Sequence, residues 1–247
     1  MVGERSGLSA VIVGYRQPDL VCAALRALAD GSRAPDEVVV ADVDPLRPFD
    51  AGACEVDLPV RVLATNDNPG YAAVCNRGAA QTSESWVLFM NADVAVSADA
   101  IAGVLAEAAR HPDVGIATCR LVQPDRSTDL ACHRGIPTVI DSLAYKLRLD
   151  RLAPRSRTLG HYHLTWLDLS ETHDVEACCG AFALVRREAL EAVGGWDEGY
   201  RFYGEDLDLC ARVRQAGWHV RYVGEYTALH HKGAASNLSR DPRDLSA

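Results

Sequence analysis

Short apolar runs recur along the first half of the chain, each too brief for a helix. Leu8–Val13, Glu37–Ala41 with its Val38-Val39-Val40 core, Val60–Ala64 and Trp86–Met90 all read as strands. Strands apolar on both faces must be covered on both, as in a parallel sheet layered between helices. The intervening segments supply the helices. Pro18–Ala29 places Val21, Leu25 and Leu28 at helical offsets and is followed by Gly31, and Tyr71–Ala80 follows the Pro69-Gly70 turn. This alternation predicts an α/β fold with a parallel sheet covered on both sides.

The pattern fills residues 1–118, and residues 119–247 continue the same domain. Pro124 to Asp174 is less regular and gathers Lys146, Arg148, Arg151, Arg155 and Arg157. It reads either as a solvated, partly helical insertion or as a region facing an acceptor or phosphate. Order returns with a strand at Phe182–Val185, a helix from Arg186, the Gly194-Gly195 turn, a helix at Glu205–Gln215 and a last strand at His219–Val223. A length of 247 residues, 48% of them hydrophobic, suits one large domain or two fused ones.

Composition narrows the partners. A net charge of −9 with only two lysines, Lys146 and Lys232, excludes non-specific binding to nucleic acid, which needs clustered cations. No stretch reaches the roughly 20 apolar residues that cross a bilayer. Val94–Ala109, interrupted by Ser97, Asp99 and Glu107, reads as a surface-facing helix. At most, peripheral membrane contact is expected. The N-terminus lacks a basic start before an apolar core, so no secretory signal is read. The eight cysteines contain no C-x-x-C pair, which argues against a zinc module and for buried, reduced thiols in a cytoplasmic protein.

Carboxylates stand where chemistry would need them. Asp42 and Asp93 lie just past strand ends, and ligands of open parallel sheets bind beyond those ends. Asp42 could accept from a base N–H, and Asp93 could hold Mg²⁺ or Mn²⁺ against a diphosphate. Either, taken alone, also reads as a cap or turn residue. In Gly204-Glu205-Asp206-Leu207-Asp208 a helix begins. Asp206 shares a stripe with Leu209, Val213 and Ala216, so it points inward, while Asp208 can pair with Arg212. An inward carboxylate suits a general base whose pKa burial would raise; a dipole-complementing cap is the other reading. The turn from Asn68 through Gly70 to Asn76 and Arg77 could approach a phosphate, or be an ordinary entry to a helix. His230 or His231, beyond the last strand, is a candidate metal ligand.

Together these residues resemble an inverting family 2 glycosyltransferase of the GT-A fold, near its rhamnosyltransferase-like branch. The resemblance runs from Leu8 to about Ser236, and it implies that residues 1–118 are a nucleotide-sugar-binding half and residues 119–247 an acceptor-binding and catalytic half of one continuous domain. It is most specific in Gly180-Ala181-Phe182-Ala183-Leu184-Val185-Arg186-Arg187, Val193-Gly194-Gly195-Trp196-Asp197-Glu198 and Phe202-Tyr203-Gly204-Glu205-Asp206-Leu207-Asp208-Leu209-Cys210. Asn91-Ala92-Asp93 stands where the family has its Asp-x-Asp-type metal motif, and His230 fits its His-x-x-Gly pattern. Asp42 matches the base-reading acid; Asn68, Gly70 and Asn76 match the turn. Gly14-Tyr15-Arg16 and Asp42-Val43-Asp44-Pro45 depart from the usual Thr-Tyr-Asn and Asp-Asn-x-Ser.

The resemblance implies a nucleotide-diphosphate sugar donor, such as dTDP-rhamnose or another dTDP-, UDP- or GDP-sugar. It implies a glycan, lipid-linked or small-molecule acceptor, a Mg²⁺ or Mn²⁺ ion on Asp93 and His230, and action in the cytoplasm or at the inner membrane face. Asp206 would be the base, supported by Glu205. Val13, Tyr15, Asp42, Asn68, Gly70, Asn76, Arg77, Asn91 and Ala92 would surround the nucleotide. Gly180, Trp196 and Asp197 would line the acceptor side, with Trp196 alternatively a core anchor. A homodimer is compatible with this reading. A catalytically silent nucleotide-sugar-binding paralogue is the alternative. A sugar-nucleotide pyrophosphorylase would need a Gly-rich, basic loop after the first strand, which Gly14-Tyr15-Arg16-Gln17-Pro18 does not supply.

Overall fold

A computed structural model describes residues 6–43, 49–65, 67–153, 155–201 and 203–232, the side chains of 150 and 151 excepted. Asp44-Pro45, Phe202, Gly233 and Ser236, named above, lie outside the described residues, as does the Arg151 side chain.

Four strands form the parallel part of the sheet: β1 (Leu8–Gly14), β2 (Glu37–Asp42), β3 (Val60–Ala64) and β4 (Trp86–Asn91), ordered β3-β2-β1-β4. Every residue of β4 up to Met90 is buried, as expected of a strand packed on both faces. Helix α1 (Pro18–Ala29) starts on Pro18, whose fixed φ suits the first helical position, and buries Val21, Leu25 and Leu28. Helix α2 (Tyr71–Ala79) lies close on β1 through Gly78, where a Cβ would stand 2.5 Å from a Val11 methyl.

The four strands read as parallel are so, and the full sheet that contains them is mixed. β8 (Phe182–Arg186) runs antiparallel to both β4 and β6 (Val114–Val122). β9 (His219–His230) runs parallel to β6, and its other edge takes β5 (Val94–Val96) and β7 (Thr172–Val175), both antiparallel. Since β8 opposes β4 and β6 alike, β1, β2, β3, β4, β6 and β9 point one way. Their carboxyl ends meet along one rim, carrying Gly14, Asp42, Asn91 and His230. β6 runs through residue 118, so the two halves share one continuous sheet.

Three further expectations change. Val94–Ala109 is not one surface helix: Val94–Val96 pairs with Ala228–His230, and α3 (Ala100–Arg110) follows, burying Ile101, Val104 and Leu105. The last strand continues past Val223, which puts His230 on its final residue. The cysteines are not all reduced. Cys22 of α1 and Cys54, in a 3-10 turn at Ala51–Cys54, form a disulfide 32 residues apart in sequence. That pairing arises because the turn folds onto α1, a contact that no local spacing announces. Six buried free cysteines remain. Closing a loop of that size stabilises by about 3–4 kcal/mol. Reduction is therefore expected to lower the melting temperature by roughly 10 °C in a chain this long. A scan with and without reductant checks this, and an unchanged transition would mean the crosslink is absent in solution.

The second half adds α4 (Val139–Lys146), α5 (Leu149–Leu152), α6 (Arg187–Ala192) and α7 (Glu205–Gln215). Among the described residues no helix is long and apolar enough to cross a membrane.

Candidate active site

A cleft of about 400 Å³ opens at the carboxyl rim of the sheet. A larger one, about 610 Å³, lies at the start of β9, bounded by Trp166, Trp218 and His219. That is the amino end of the parallel strands, and it holds none of the expected site residues. Ligands of open α/β sheets bind at the carboxyl ends, so the smaller cleft is the candidate site.

Several elements build its wall. Val13 and Tyr15 follow from β1, Asn91 ends β4, His230 ends β9, and Asn68 and Gly70 come from the turn before α2. Gly70 holds φ at +98° and stands so near the Arg201 carbonyl that a Cβ would meet it at 2.6 Å. Only glycine makes that turn without strain. Across the cleft, Gly180 precedes β8 and its carbonyl accepts from the Tyr71 hydroxyl at 2.7 Å. Glu205 and Asp206 line it from the first turn of α7, whose N-cap is Gly204 at φ +96°. Asp208 points away and takes Arg212 at 2.6 Å, as its spacing predicts.

Asp206 is anchored. Its carboxylate pairs with Arg134 Nη2 at 2.5 Å, and the two side chains are 17% and 10% exposed. Leu207 N–H donates to the other Asp206 oxygen at 2.8 Å. Burial disfavours the charged guanidinium, but the Asp206 carboxylate outweighs it and Arg134 is raised above its ordinary value. Beside Asp206, the Glu205 carboxyl is pushed up by desolvation. Glu205 Oε2 is buried without a hydrogen-bond partner.

Asp93 is 3% exposed and is not among the residues that line the cleft; it adjoins the lining through His230. His230 Nε2 stands 3.6 Å from Asp93 Oδ1, too far for a hydrogen bond, and that buried oxygen has no hydrogen-bond partner. Asp129 holds His230 Nδ1 at 3.1 Å and Lys232 Nζ at 2.8 Å. Burial alone would favour a protonated Asp129, but His230 and Lys232 hold its carboxyl well below the usual range. Burial likewise opposes a charged His230, yet its bond to Asp129 and the nearby Asp93 push it up to about 9.

These donors fit a divalent cation in one particular way. Among the described residues no three of His, Cys, Asp and Glu gather to hold one ion. The Asp93 oxygen that lacks a hydrogen-bond partner and His230 Nε2, once it gives up its proton to an incoming ion, offer two ligands, with the rest left to a diphosphate and water. Mg²⁺ is held in that manner, by one or two carboxylates plus substrate phosphates.

Other expected residues stand outside the cleft lining. Trp196 is 2% exposed and packs edge-on against Tyr71 and Phe89 at 5.6 and 5.2 Å, so the structure places it as a core anchor. Asn76 accepts from Trp196 N–H at 2.9 Å and donates to its carbonyl at 2.8 Å and to Glu198 at 2.9 Å. Its side chain thus clamps a loop rather than facing the cleft. Asp197 is exposed and accepts from Gly199 N–H at 2.9 Å. Arg77 pairs with exposed Asp67 at 3.2 Å. Asp42 is buried, accepting from Phe49 N–H at 2.8 Å, while its neighbour Val43 lines the cleft. Ala92 is buried beside Asn91. Sequence reasoning missed Arg134, Asp129 and Lys232. The first two lie in or near the segment read as irregular, where only long-range pairing gives them meaning.

The sequence profile described as "Glycosyltransferase like family 2" matches residues 6–241. An N-acetylglucosaminyl-diphospho-decaprenol L-rhamnosyltransferase of Mycobacterium tuberculosis is 33% identical over 229 residues, covering 88% of this chain and 73% of that protein. Two solved structures share the fold. The mannosyltransferase PcManGT from Pyrobaculum calidifontis, in complex with GDP-Man and Mn²⁺, superposes with a TM-score of 0.63 at 17% identity, over 96% of this chain and 60% of its own. GalNAc-T7 with UDP, GalNAc and Mn²⁺ gives 0.64 at 13% identity, over 91% and 43%.

Proposed function

Because the chain belongs to glycosyltransferase family 2 and is a glycosyltransferase of the GT-A fold, we propose that it transfers a sugar with inversion. The donor is a nucleotide-diphosphate sugar, dTDP-rhamnose first among candidates, and the acceptor is a hydroxyl on a lipid-diphosphate-linked sugar. The name of the rhamnosyltransferase relative supports rhamnose as the sugar and a lipid-diphosphate-linked N-acetylglucosamine as the acceptor. The observation that carries the reaction is Asp206, held by Arg134 on one wall of the cleft that Asn91 and His230 line from the other.

In this mechanism Asp206 takes the proton from the acceptor hydroxyl. The acceptor oxygen bonds to the anomeric carbon as the bond from that carbon to the diphosphate oxygen breaks on the opposite face. The nucleoside diphosphate leaves with the electron pair, and no glycosyl-enzyme intermediate forms. Arg134 keeps the base in place and its Nη2 also reaches the Cys178 carbonyl at 3.4 Å. Asp129 bonds His230 Nδ1, leaving Nε2 to face Asp93. Asp93 and His230 would hold a divalent ion, whose chemistry is to neutralise charge on the departing diphosphate.

The test is incubation with dTDP-rhamnose and a polyprenyl-diphosphate N-acetylglucosamine acceptor, followed by NMR of the product linkage. An inverted rhamnoside is expected. A retained configuration would sink the mechanism, and nucleotide binding without turnover for any donor would favour the silent paralogue. Asp93→Ala is expected to weaken Mn²⁺-dependent binding of the nucleoside diphosphate by about 10- to 100-fold in calorimetry. An unchanged metal dependence would move the ion elsewhere.

A further inference from the structure

The described residues expose eight large hydrophobic side chains, and six of them fall between residues 139 and 152. Val139 is 86% exposed, Leu152 81%, Ile140 62% and Leu147 58%, with Leu143 and Tyr145 beside them. Val139, Ile140, Leu143 and Leu147 recur at offsets of one, four and eight, which is one face of α4 and its C-cap. The helix is inverted relative to one that lies on a water-facing surface. Its acid, Asp141, is buried and its aliphatic residues face out.

The inversion is built. A capping box between Thr138 and Asp141 starts α4. Asp141 also takes His161 Nδ1 at 2.8 Å, and His161 Nε2 meets Glu176 at 3.2 Å. This polar underside fixes the orientation of the helix. Exposed cations flank the apolar face: Lys146, Arg148, Arg155 and Arg157, in a chain whose net charge is −9. One of only two lysines is therefore here. An exposed aliphatic stripe beside clustered cations fits a surface that is apolar at depth and anionic at its headgroups.

We propose that α4 and the residues following it form an interfacial docking surface for an anionic lipid bilayer. Its purpose rests on the lipid-linked acceptor proposed above. Val139 lies five positions along the chain from Arg134, in the cleft, so the docking face begins within roughly 18 Å of the site. An acceptor anchored by a lipid tail would be presented at that distance from Asp206.

The test uses the full chain and no substrate, so its outcome is independent of whether transfer occurs. Flotation with phosphatidylcholine vesicles containing phosphatidylglycerol is expected to recover the protein, with recovery falling as salt screens the headgroups. The double variant Leu143→Glu/Leu147→Glu should bind such vesicles at least about tenfold more weakly, with an unchanged melting temperature. Its activity on a water-soluble acceptor should also stay unchanged, and loss of that activity would count against this assignment. Failure of the wild type to float, or equal flotation of the variant, overturns the proposal. A wild-type dimer that the variant dissociates overturns it too, by making the face a contact between two copies.

Discussion

Asp206→Asn is expected to lower kcat by about a thousandfold, within the range a positioned general base contributes, while binding of the nucleoside diphosphate changes little. The substitution keeps the shape of the side chain and its oxygen acceptor for Leu207, and it removes the proton acceptor. Glu205→Gln is the matched control. Glu205 lines the same cleft, with one oxygen buried and unpartnered and its carboxyl pushed up by desolvation. A fall of about tenfold or less is expected there, in keeping with a group that orients the acceptor. Single-turnover kinetics on both variants decides between them. If Asp206→Asn turned over normally and Glu205→Gln did not, the base would be Glu205.

The second large effect concerns Arg134. Truncation to Ala leaves the Asp206 carboxylate in a partly buried site without its counter-ion. Breaking such a pair from one side is expected to cost about 3 kcal/mol, which lowers the melting temperature by roughly 10 °C. Arg134→Lys keeps the charge but not the fork. Its single ammonium cannot serve both Asp206 and the Cys178 carbonyl, so partial recovery of stability is expected, with kcat still reduced. Urea unfolding of the two variants separates the charge from the geometry. Equal stability of Arg134→Ala and the wild type would show that the ion pair does not hold Asp206.

How far residues alone reveal a fold depends on whether their partners are local. α1 and α7 were readable to the residue, because Pro18 and the Gly204-Glu205-Asp206 start mark helix entries and the apolar spacing continues from them. β1, β2 and β4 were readable as continuous apolar runs. β7 (Thr172–Val175) has no such run and becomes a strand through its pairing with Val220–Val223 of β9. β6 was lost beside a segment read as irregular, with Gly115 and Arg120 interrupting it.

The site divides in the same way. Asp206, Glu205, Gly70 and His230 carry local signatures: a helix start, a positive-φ turn, a strand end. Arg134 and Asp129 have none, since each gains its place from a partner about 70 or 100 residues away. Asn76 and Trp196 show the opposite case. Their residue types suggest contact with ligand, but in the fold they bond to one another.

That bond between Asn76 and Trp196 has a mechanical consequence. Together with Tyr71 on Gly180, it ties residues 1–118 to residues 119–247 beside the cleft. Two such ties oppose a hinge between the halves, so a crosslink added between them away from the cleft is expected to leave turnover unimpaired.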